Sequence, residues 1–479
     1  MSMGKAKKAQ QTLFDFETID VPIGVQPFSL PKNWISTKLT NIVSVVTGKK
    51  NADYGRPNGL YSFFTCASEP ITCDGYSFEG ESLVLPGNGA NVGQVTYFNG
   101  RFEAYQRTYV LQLTSQWATL KYVYYHLLAF WKDYNSNKQY GSATNFIKIG
   151  NFVNYEIPLP PLPEQKRIVE LIESLFSRLD EARAKAQEVI DGFEPWKSAI
   201  LHKAITGQLV EQRPEEGTSR ELLKKVQLSD KFGGQKVKQK NIKEISEDEK
   251  TIVIPPNWEW VKLGSVCIIA RGGSPRPIKD FITTSDDGVN WIKIGDTQKN
   301  GKYISTCAEK IKPSGVSKSR MVHAGDFLLT NSMSFGRPYI LKISGCIHDG
   351  WLVISQPSEV FDQDFLYWLL SSSYAFSQFC GQVSGAVVEN LNSDKVANSV
   401  FPLPPLPEQK RIVSQIESLI SRMEEAVEKA KSVIEQIDVI KKSILAKAFR
   451  GELGTNDPTE ESALEILKSS GAERKKRAS

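Results

Sequence analysis

The sequence PLPPLPEQKRIV occurs twice in this chain of 479 residues, at Pro158–Val169 and, unchanged, at Pro402–Val413. The match continues without a gap at an offset of 244 residues, and 31 of the 52 positions from Pro158 to Leu209 are identical in the second copy. Self-similarity at a fixed spacing is typical of a repeated structural unit. We therefore expect two copies of one local fold, in the second and fourth quarters of the chain.

A second, weaker match opens each half of the chain. The residues LPKNWISTKL (Leu30–Leu39) resemble IPPNWEWVKL (Ile254–Leu263) at an offset of 224 residues. Between these opening segments and the repeated PLPPLPEQKRIV, the two copies have little sequence in common. The pattern predicts a variable segment followed by a fixed segment, and then the same arrangement again.

Apolar residues in each fixed segment recur at alternating steps of four and three, which is the a/d pattern of a coiled-coil helix. The prolines of PLPPLP cannot lie inside a helix, so each helix is expected to begin near Glu164 or its repeat. Pro195 lies within the first seam and predicts a kink or an interruption near Asp191. The two helices can pair with each other; alternatively, each packs only on its own globular domain. The seam residues are Ile168, Ile172, Leu175, Leu179, Ala182, Ala186, Val189, Phe193, Trp196 and Ile200, and in the second copy Ile412, Ile416, Leu419, Met423, Ala426, Ala430, Val433, Ile437, Ile440 and Ile444.

The composition is that of a globular chain, with 40% hydrophobic residues and 59 Lys and Arg against 54 Asp and Glu, a net charge of +5. The mean hydropathy is −0.30. No run of 18 apolar residues occurs and the start lacks an apolar signal-peptide core, so we predict a cytoplasmic protein that does not associate with a membrane. The four histidines lack the close spacing of a zinc site, and no metal site is predicted.

Two glycine-rich segments imitate nucleotide-binding loops but lack essential features. GNGANVG (Gly87–Gly93) has three residues before its last glycine where the dinucleotide-binding pattern has two. GDTQKNGKY (Gly295–Tyr303) is one residue too long for a phosphate loop and has Tyr303 where Ser or Thr should hold magnesium. No methyltransferase tetrapeptide and no credible nuclease acid pair occurs either. The sequence therefore predicts no catalytic residue and no cofactor bound by this chain.

The duplicated PLPPLPEQKRIV, the heptad helix after it, the ending SILAKAFRGEL and the dissimilar segments that open on LPKNW and IPPNW closely resemble the specificity subunit of type I restriction-modification enzymes. The resemblance covers about Leu30–Lys468. It implies an α+β fold in which two mixed α/β target recognition domains are separated by two long helices that form an antiparallel coiled coil, with an internal pseudo-twofold repeat. The implied segments are an N-terminal extension (1–29), the first target recognition domain (30–157), a proline-rich lead-in with the central spacer helix (158–211), a polar linker with a short helix (212–253), the second target recognition domain (254–401), a second lead-in with the distal spacer helix (402–453) and a C-terminal tail (454–479).

The resemblance also implies what the chain does. A specificity subunit has no active site of its own; its two domains each read half of a split, asymmetric sequence in double-stranded DNA, and its helices fix the gap between the halves. Two methyltransferase subunits and two motor-nuclease subunits are the implied partners. They would bring S-adenosylmethionine, ATP and magnesium, so that the assembled complex is an adenine-N6 DNA methyltransferase and an ATP-dependent endonuclease.

The residues most suited to reading bases are polar side chains in predicted loops, chiefly the loops Gly48–Arg56 and Arg271–Lys279. Arginine pairs well with guanine, and asparagine or glutamine with adenine, in the major groove. Each residue could instead be a solvated surface group. The candidates are Lys49, Lys50, Tyr54, Arg56, Arg107, Lys138, Tyr140 and Asn145 in the first domain, and Arg271, Ser274, Arg276, Lys279, Arg320, Ser334, Arg337 and Asn390 in the second.

The polar residues at the start of each repeated helix are candidates for binding the methyltransferase partner. An alternative stays open, because a glutamate in the first helical turn also complements the helix dipole whatever the function. The candidate partner-binding residues are Glu164, Gln165, Lys166 and Arg167, and their repeats Glu408, Gln409, Lys410 and Arg411.

Two functions of other classes compete with this interpretation. One is a self-contained restriction-modification enzyme, against which the missing methyltransferase motifs count. The other is a structural coiled-coil scaffold that never touches DNA, which specific binding to a bipartite duplex would exclude.

Overall fold

The computed structural model describes residues 30–140, 145–224, 231–232, 235–236, 242–298, 301–331, 336–356, 360–380 and 391–463. The described residues fall into two compact units. The first holds the residues up to Ala186 together with those from Ser432 onward, and the second holds those from Gln187 to Lys431. Each unit therefore combines one variable segment and the start of the helix that follows it with the end of the other long helix.

The first unit is built on a mixed six-stranded sheet in the order β2-β7-β5-β6-β3-β4, with a separate two-stranded sheet of β1 and β8. The α1 helix packs on the central strands β5 and β6. The elements of this half are β1 (Ile35–Lys38), β2 (Val43–Thr47), β3 (Tyr61–Phe64), β4 (Ile71–Cys73), β5 (Phe78–Pro86), β6 (Thr96–Ala104), β7 (Thr108–Leu113), α1 (Leu120–Ser136), α2 (Ile149–Val153), β8 (Glu156–Leu159) and α3 (Leu162–Asp191).

The second unit has two five-stranded sheets, in the orders β12-β21-β18-β19-β15 and β13-β16-β14-β20-β17, and the two-stranded sheets β11-β22 and β9-β10. Its elements, with the second long helix, are α4 (Phe193–Ile205), α5 (Ser219–Leu223), β9 (Lys231–Phe232), β10 (Gln235–Lys236), β11 (Glu259–Lys262), α6 (Leu263–Val266), β12 (Ile268–Arg271), β13 (Ile282–Thr283), β14 (Val289–Ile292), β15 (Tyr303–Ile304), β16 (Glu309–Ile311), α7 (Pro313–Val316), β17 (Arg320–Val322), β18 (Phe327–Thr330), β19 (Pro338–Leu341), β20 (Gly345–Ile347), β21 (Trp351–Ser355), α8 (Gln363–Leu370), α9 (Ser373–Cys380), α10 (Ser393–Asn398), β22 (Val400–Leu403) and α11 (Leu406–Ala448).

The two sequence anchors of each repeat pair with each other as a small antiparallel sheet. In the first unit β1 lies beside β8, with Ile35 opposite Leu159. In the second unit β11 lies beside β22, with Glu259 opposite Leu403. The paired residues differ by the two repeat offsets, 224 and 244, so the variable segment is an insertion between the two strands of a repeated base.

The long helices follow the sequence pattern, including its irregularity. The first is interrupted at Gly192, where α3 ends at Asp191 and α4 begins at Phe193. Pro195 has no N–H to donate to the Asp191 carbonyl, which explains the break and confirms the predicted interruption. The second, α11, runs unbroken over 43 residues. Among the described helices none is long and apolar enough to cross a membrane.

Both alternatives for the helix seam hold, each in a different part of the helix. The start of α3 is buried in the core of the first unit through Ile168 and Ile172, and the end of α11 enters the same core through Leu445 and Phe449. The neighbouring turns pair with each other instead: Lys441 binds Asp180 at 2.6 Å, and Arg183 pairs with Asp438. Because one sequence rises while the other falls, the two helices are antiparallel here.

A buried histidine in this core makes the stability of the first unit depend on pH. His126 on α1 lies against Phe449, with a ring distance of 4.8 Å, and its Nδ1 is 3.1 Å from the Tyr155 hydroxyl. Burial lowers its pKa from 6.5 to about 3. The unfolded chain therefore binds a proton below pH 6.5 that the folded unit does not bind until about pH 3, and stability is lost as the pH falls through this window.

We expect the first unit to lose about 2 kcal/mol of unfolding free energy between pH 7 and pH 5 through His126 alone, since one pKa unit corresponds to about 1.4 kcal/mol. Urea unfolding at both pH values, with hydrogen exchange to locate the unit, measures this. His126→Phe should remove that part of the pH dependence, whereas His202→Gln, at an exposed site on α4, should keep it. Equal slopes for the wild type and His126→Phe would contradict the assignment.

Candidate nucleic-acid interface

In the first unit, the predicted DNA-reading loop Gly48–Arg56 lies against the turn Tyr105–Arg107 between β6 and β7. A Cβ at Gly48 would lie 1.8 Å from the carbonyl oxygen of Ala104, so only glycine permits this approach. The Gln106 N–H donates to the Lys50 carbonyl at 2.9 Å, and the Lys50 ammonium lies 4.4 Å from the centre of the Tyr54 ring. The side chains of Lys49, Gln106 and Arg107 are exposed. Loop and turn together form one polar, basic surface.

The predicted residues Tyr140 and Asn145 reach the same turn through a chain of backbone hydrogen bonds. The Gly87 N–H donates to the Arg107 carbonyl at 2.9 Å, and the Gly89 N–H donates to the Asn145 carbonyl at 2.8 Å. The Tyr140 ring is exposed, and the Lys148 ammonium lies 4.3 Å from its centre. GNGANVG is thus a connecting loop, as the sequence predicts, and it joins the two parts of the surface.

The last two candidates of the first unit lie further from the turn. The Lys138 ammonium lies 3.4 Å from the centre of the Tyr134 ring, at the end of α1. The Arg56 N–H donates to the Thr72 carbonyl at 2.7 Å, which holds the far end of the loop beside β4 and leaves the Arg56 side chain exposed.

The second unit repeats this arrangement with different residues. Gly272 stands 224 residues after Gly48, and a Cβ there would lie 2.0 Å from the His348 carbonyl oxygen. The predicted loop Arg271–Lys279 therefore approaches the turn His348–Gly350, between β20 and β21, as the first loop approaches Tyr105–Arg107. One loop and one turn form the equivalent surface in each unit.

Asp349 in this second turn binds three of the predicted residues. Its carboxylate accepts hydrogen bonds from the Ser274 hydroxyl at 2.8 Å and from Arg276 Nη2 at 3.3 Å, and its carbonyl accepts from Arg271 Nε at 3.1 Å. The hydrogen bond from Ser274 is the main cause that holds the pKa of Asp349 below its usual value, with Arg276 contributing. The carboxylate is therefore ionised at neutral pH.

Arg320 lies beside this cluster and is partly desolvated. Its Nε donates to the Arg271 carbonyl at 3.2 Å, while its Nη1 is buried without a hydrogen-bond partner among the described residues. Burial lowers its pKa below the usual value, although the group stays charged at neutral pH. A cation that lacks one hydrogen bond favours an approaching anion or base acceptor.

The remaining predicted residues of the second unit are dispersed. Arg337 follows a turn after β18 and lies 5.5 Å from the centre of the Tyr339 ring. Lys279 is exposed in the short turn of helix after the loop. Ser334 and Asn390 lie outside the described residues. No group of three or more His, Cys, Asp or Glu side chains that could hold a metal ion occurs in the part of the chain that the structure describes.

The residues predicted to bind partners occupy a different place, at the start of each long helix. Glu164 is fully buried: its Oε2 accepts from the Trp34 indole at 2.8 Å and from Asn456 Nδ2 at 2.9 Å. Burial raises the pKa of its carboxyl above the usual value, against the opposing effect of these hydrogen bonds. Arg167 next to it binds Glu460 through two hydrogen bonds of 2.8 and 3.0 Å. The chain after α11 is thereby fastened to the start of α3.

The second unit forms the same cluster. Glu408 is fully buried and accepts from the Trp258 indole at 2.9 Å and from Gln212 Nε2 at 2.6 Å. Arg411 binds Glu216 at 2.7 and 2.6 Å. Gln212 and Glu216 are the 244-residue equivalents of Asn456 and Glu460, so the segment after each helix closes on the start of the other.

These clusters correct one expectation. Glu164, Gln165, Glu408 and Gln409 have no exposed surface and are internal to their units, so they are not available to a partner. The glutamine amides bind backbone: Gln165 Nε2 donates to the Trp117 carbonyl at 2.8 Å. Only Lys166 and Lys410 of the eight are exposed; Arg167 and Arg411 are partly so.

The sequence matches the model of a known family in both halves of the chain. The type I restriction modification DNA specificity domain matches residues 31–190 and again residues 255–436, well over half of the chain. The chain belongs to this family. It contains two DNA specificity domains, and each of the two interfaces lies within one of them.

Relatives of this specificity subunit cover most of its length. The EcoDI specificity subunit of a type I restriction enzyme from Escherichia coli is 26% identical over 430 residues, 88% of this chain and 89% of the relative. The crystal structure of the HsdS subunit from Thermoanaerobacter tengcongensis has a TM-score of 0.55 at 18% identity, covering 89% of this chain and 99% of that one. A structure from work on complex assembly and conformational transition of the type I R-M system has a TM-score of 0.58 at 18% identity, covering 89% and 100%. The structural similarity supports the fold.

Sequence reasoning missed several residues of the specificity subunit that the structure brings into these sites. The offset of 244 continues beyond the helix, where Pro214 aligns with Pro458, and could have located Glu216 and Glu460. The offset of 224 relates Gly48 to Gly272. Nothing in the sequence marks Asp349, because its role depends on a turn that only the strand pairing of β20 and β21 reveals.

Proposed function

We propose that this specificity subunit reads an asymmetric, bipartite DNA sequence, one half with the loop and turn of each unit. The observation that carries the proposal is the pairing of a repeated scaffold with unlike reading surfaces. Gly48 and Gly272 fix the same backbone approach in both units, yet the turns they meet are Tyr105–Arg107 and His348–Gly350. Equivalent positions with different donors and acceptors suit two different half-sites.

Charge supports a subunit that works inside a larger complex. The net charge of +5 is small for a chain of this length, although exposed cations such as Lys49, Arg107, Arg276 and Lys279 line the two surfaces. Neutralising many phosphates requires many cations, and this term dominates DNA affinity. We therefore assign much of the phosphate contact to partner subunits and the base contacts to this chain.

The repeat also supports a pair of identical partners. Two copies of one scaffold present equivalent surfaces to two copies of one binding protein. We propose two methyltransferase and two motor-nuclease subunits as these partners, with S-adenosylmethionine, ATP and magnesium bound by them and the chemistry of methylation and cleavage theirs alone. Lys166 and Lys410, identical and exposed in the two copies, are the remaining candidates at the helix starts.

Electrophoretic binding tests this function with the complex of the full chain and its methyltransferase partner. We expect tight binding to one bipartite duplex, and binding weaker by a factor of about 1,000 or more to a scrambled duplex of equal length at physiological salt. The chain alone should transfer no methyl group. Equal binding to both duplexes would contradict the proposal and favour a structural scaffold; methylation by the purified chain would favour a self-contained enzyme.

A further inference from the structure

Asp349 is an acidic side chain at the centre of a surface assigned to DNA. Its side chain is 44% exposed, and four cationic or polar residues, Arg271, Ser274, Arg276 and Asn331, donate to its carboxylate or its carbonyl. A carboxylate in such a place repels phosphate. It is useful there if it either accepts from a base or orients the groups that do the reading.

The contacts of Asp349 favour orientation. Its Oδ1 accepts the Ser274 hydroxyl at 2.8 Å and its Oδ2 accepts Arg276 Nη2 at 3.3 Å, so both oxygens are occupied by the loop. The Arg276 side chain is 81% exposed, which leaves most of its guanidinium open to a ligand. An arginine held by one nitrogen loses fewer rotamers when it binds, and fixed geometry is what turns a charge into a base-specific contact.

The backbone of the turn is itself firmly held. The buried Asn331 donates from Nδ2 to the Asp349 carbonyl at 2.8 Å, and the Asn331 N–H donates to the Gly350 carbonyl at 3.1 Å. Arg271 donates to the same Asp349 carbonyl at 3.1 Å. Removing the Asp349 carboxylate therefore frees Ser274 and Arg276 without releasing the turn.

The first unit has no equivalent of this carboxylate. Its turn carries Gln106 and Arg107 beside the loop, and both side chains are exposed. The acidic group is thus a feature of the second reading surface alone, and its removal should affect one half-site.

We propose that Asp349 is a positioning residue for the second half-site: it fixes the Ser274 hydroxyl and the Arg276 guanidinium and thereby sets which base the loop Arg271–Lys279 accepts. This rests on the proposed function of the two surfaces. The group that touches the base is Arg276 or Ser274, and Asp349 acts through them.

The test compares Asp349→Ala and Asp349→Asn with the wild type, each in complex with the methyltransferase partner. Dissociation constants are measured for the cognate duplex and for duplexes with one base changed in either half. We expect Asp349→Ala to reduce discrimination in the second half-site about tenfold or more, with discrimination in the first half and the melting temperature unchanged. Asp349→Asn keeps an acceptor for Ser274 but loses the charge that attracts Arg276, so its effect should be intermediate.

Asp280→Ala is the matched control. It removes the same charge just beyond the same loop, at an exposed carboxylate, and should leave discrimination in both halves unchanged. Tighter binding of Asp349→Ala to every duplex by one common factor would overturn the inference, because the carboxylate would then only repel phosphate. Equal weakening for every duplex would overturn it too, since that indicates a structural role. If the wild-type complex itself fails to distinguish cognate from scrambled duplex, the proposed function fails instead.

Discussion

Replacing residues 254–401 with the corresponding segment of a relative is expected to change one half of the recognised DNA sequence completely and to leave the other half as it was. The replaced segment lies between β11 and β22, which pair with each other as a repeated base that β1 and β8 also form. Because the buried cluster around Glu408 and Trp258 uses residues present in both copies, the graft keeps its support. Binding to the original duplex should fall toward the non-specific level, about 1,000-fold or more.

The reciprocal exchange, of residues 30–157, is the control for this experiment. It should alter the other half-site and spare the one that the first exchange altered. Methylation patterns of cells that express each hybrid with the methyltransferase partner measure both halves at once. If a single exchange alters both halves, the two units do not read independently.

The second large effect concerns stability. Glu408→Ala is expected to cost the second unit about 2–4 kcal/mol of unfolding free energy. The substitution leaves the Trp258 indole and the Gln212 amide as buried donors without an acceptor, and each such loss costs about 1–3 kcal/mol, more when the lost partner is charged. Urea unfolding gives the free energy. Hydrogen exchange should show the loss in residues 209–219 and 255–262, where the closing segment meets the base.

A matched variant on the same helix separates this effect from helix propensity. Glu424→Ala replaces an exposed glutamate of α11 and should change stability by no more than about 0.5 kcal/mol. Glu164→Ala should reproduce the large loss in the first unit, in residues 30–39 and 453–463. A cost for Glu408→Ala equal to that of Glu424→Ala would show that the buried carboxylate does not hold the segment after α4.

The regular parts of this fold could be predicted from the sequence because they rest on local patterns. The spacing of Ile168, Ile172 and their successors fixes the helix and its buried face, and Pro195 fixes its interruption by the lack of one N–H. The repeat itself could be read directly from the offset of 244 residues. Such features need no knowledge of what packs against them.

The use of the polar residues could not be predicted in the same way. Glu164 in a first helical turn has the same local sequence whether it faces solvent, a partner or the Trp34 indole. Its burial depends on Asn456, 292 residues later in the chain. Asp349 likewise becomes a partner of Ser274 and Arg276 only because β20 and β21 bring its turn beside β12. Contacts between distant segments decide these roles, and one sequence does not reveal which segments meet.

Methylome sequencing of cells that express this chain with its methyltransferase partner tests the central claim most directly. The account predicts that the chain's presence adds methylated adenines within one asymmetric motif, made of two specified blocks separated by unspecified bases. A continuous motif, a palindromic motif or no methylation that depends on the chain would contradict the claim that two unlike domains each read half of the site.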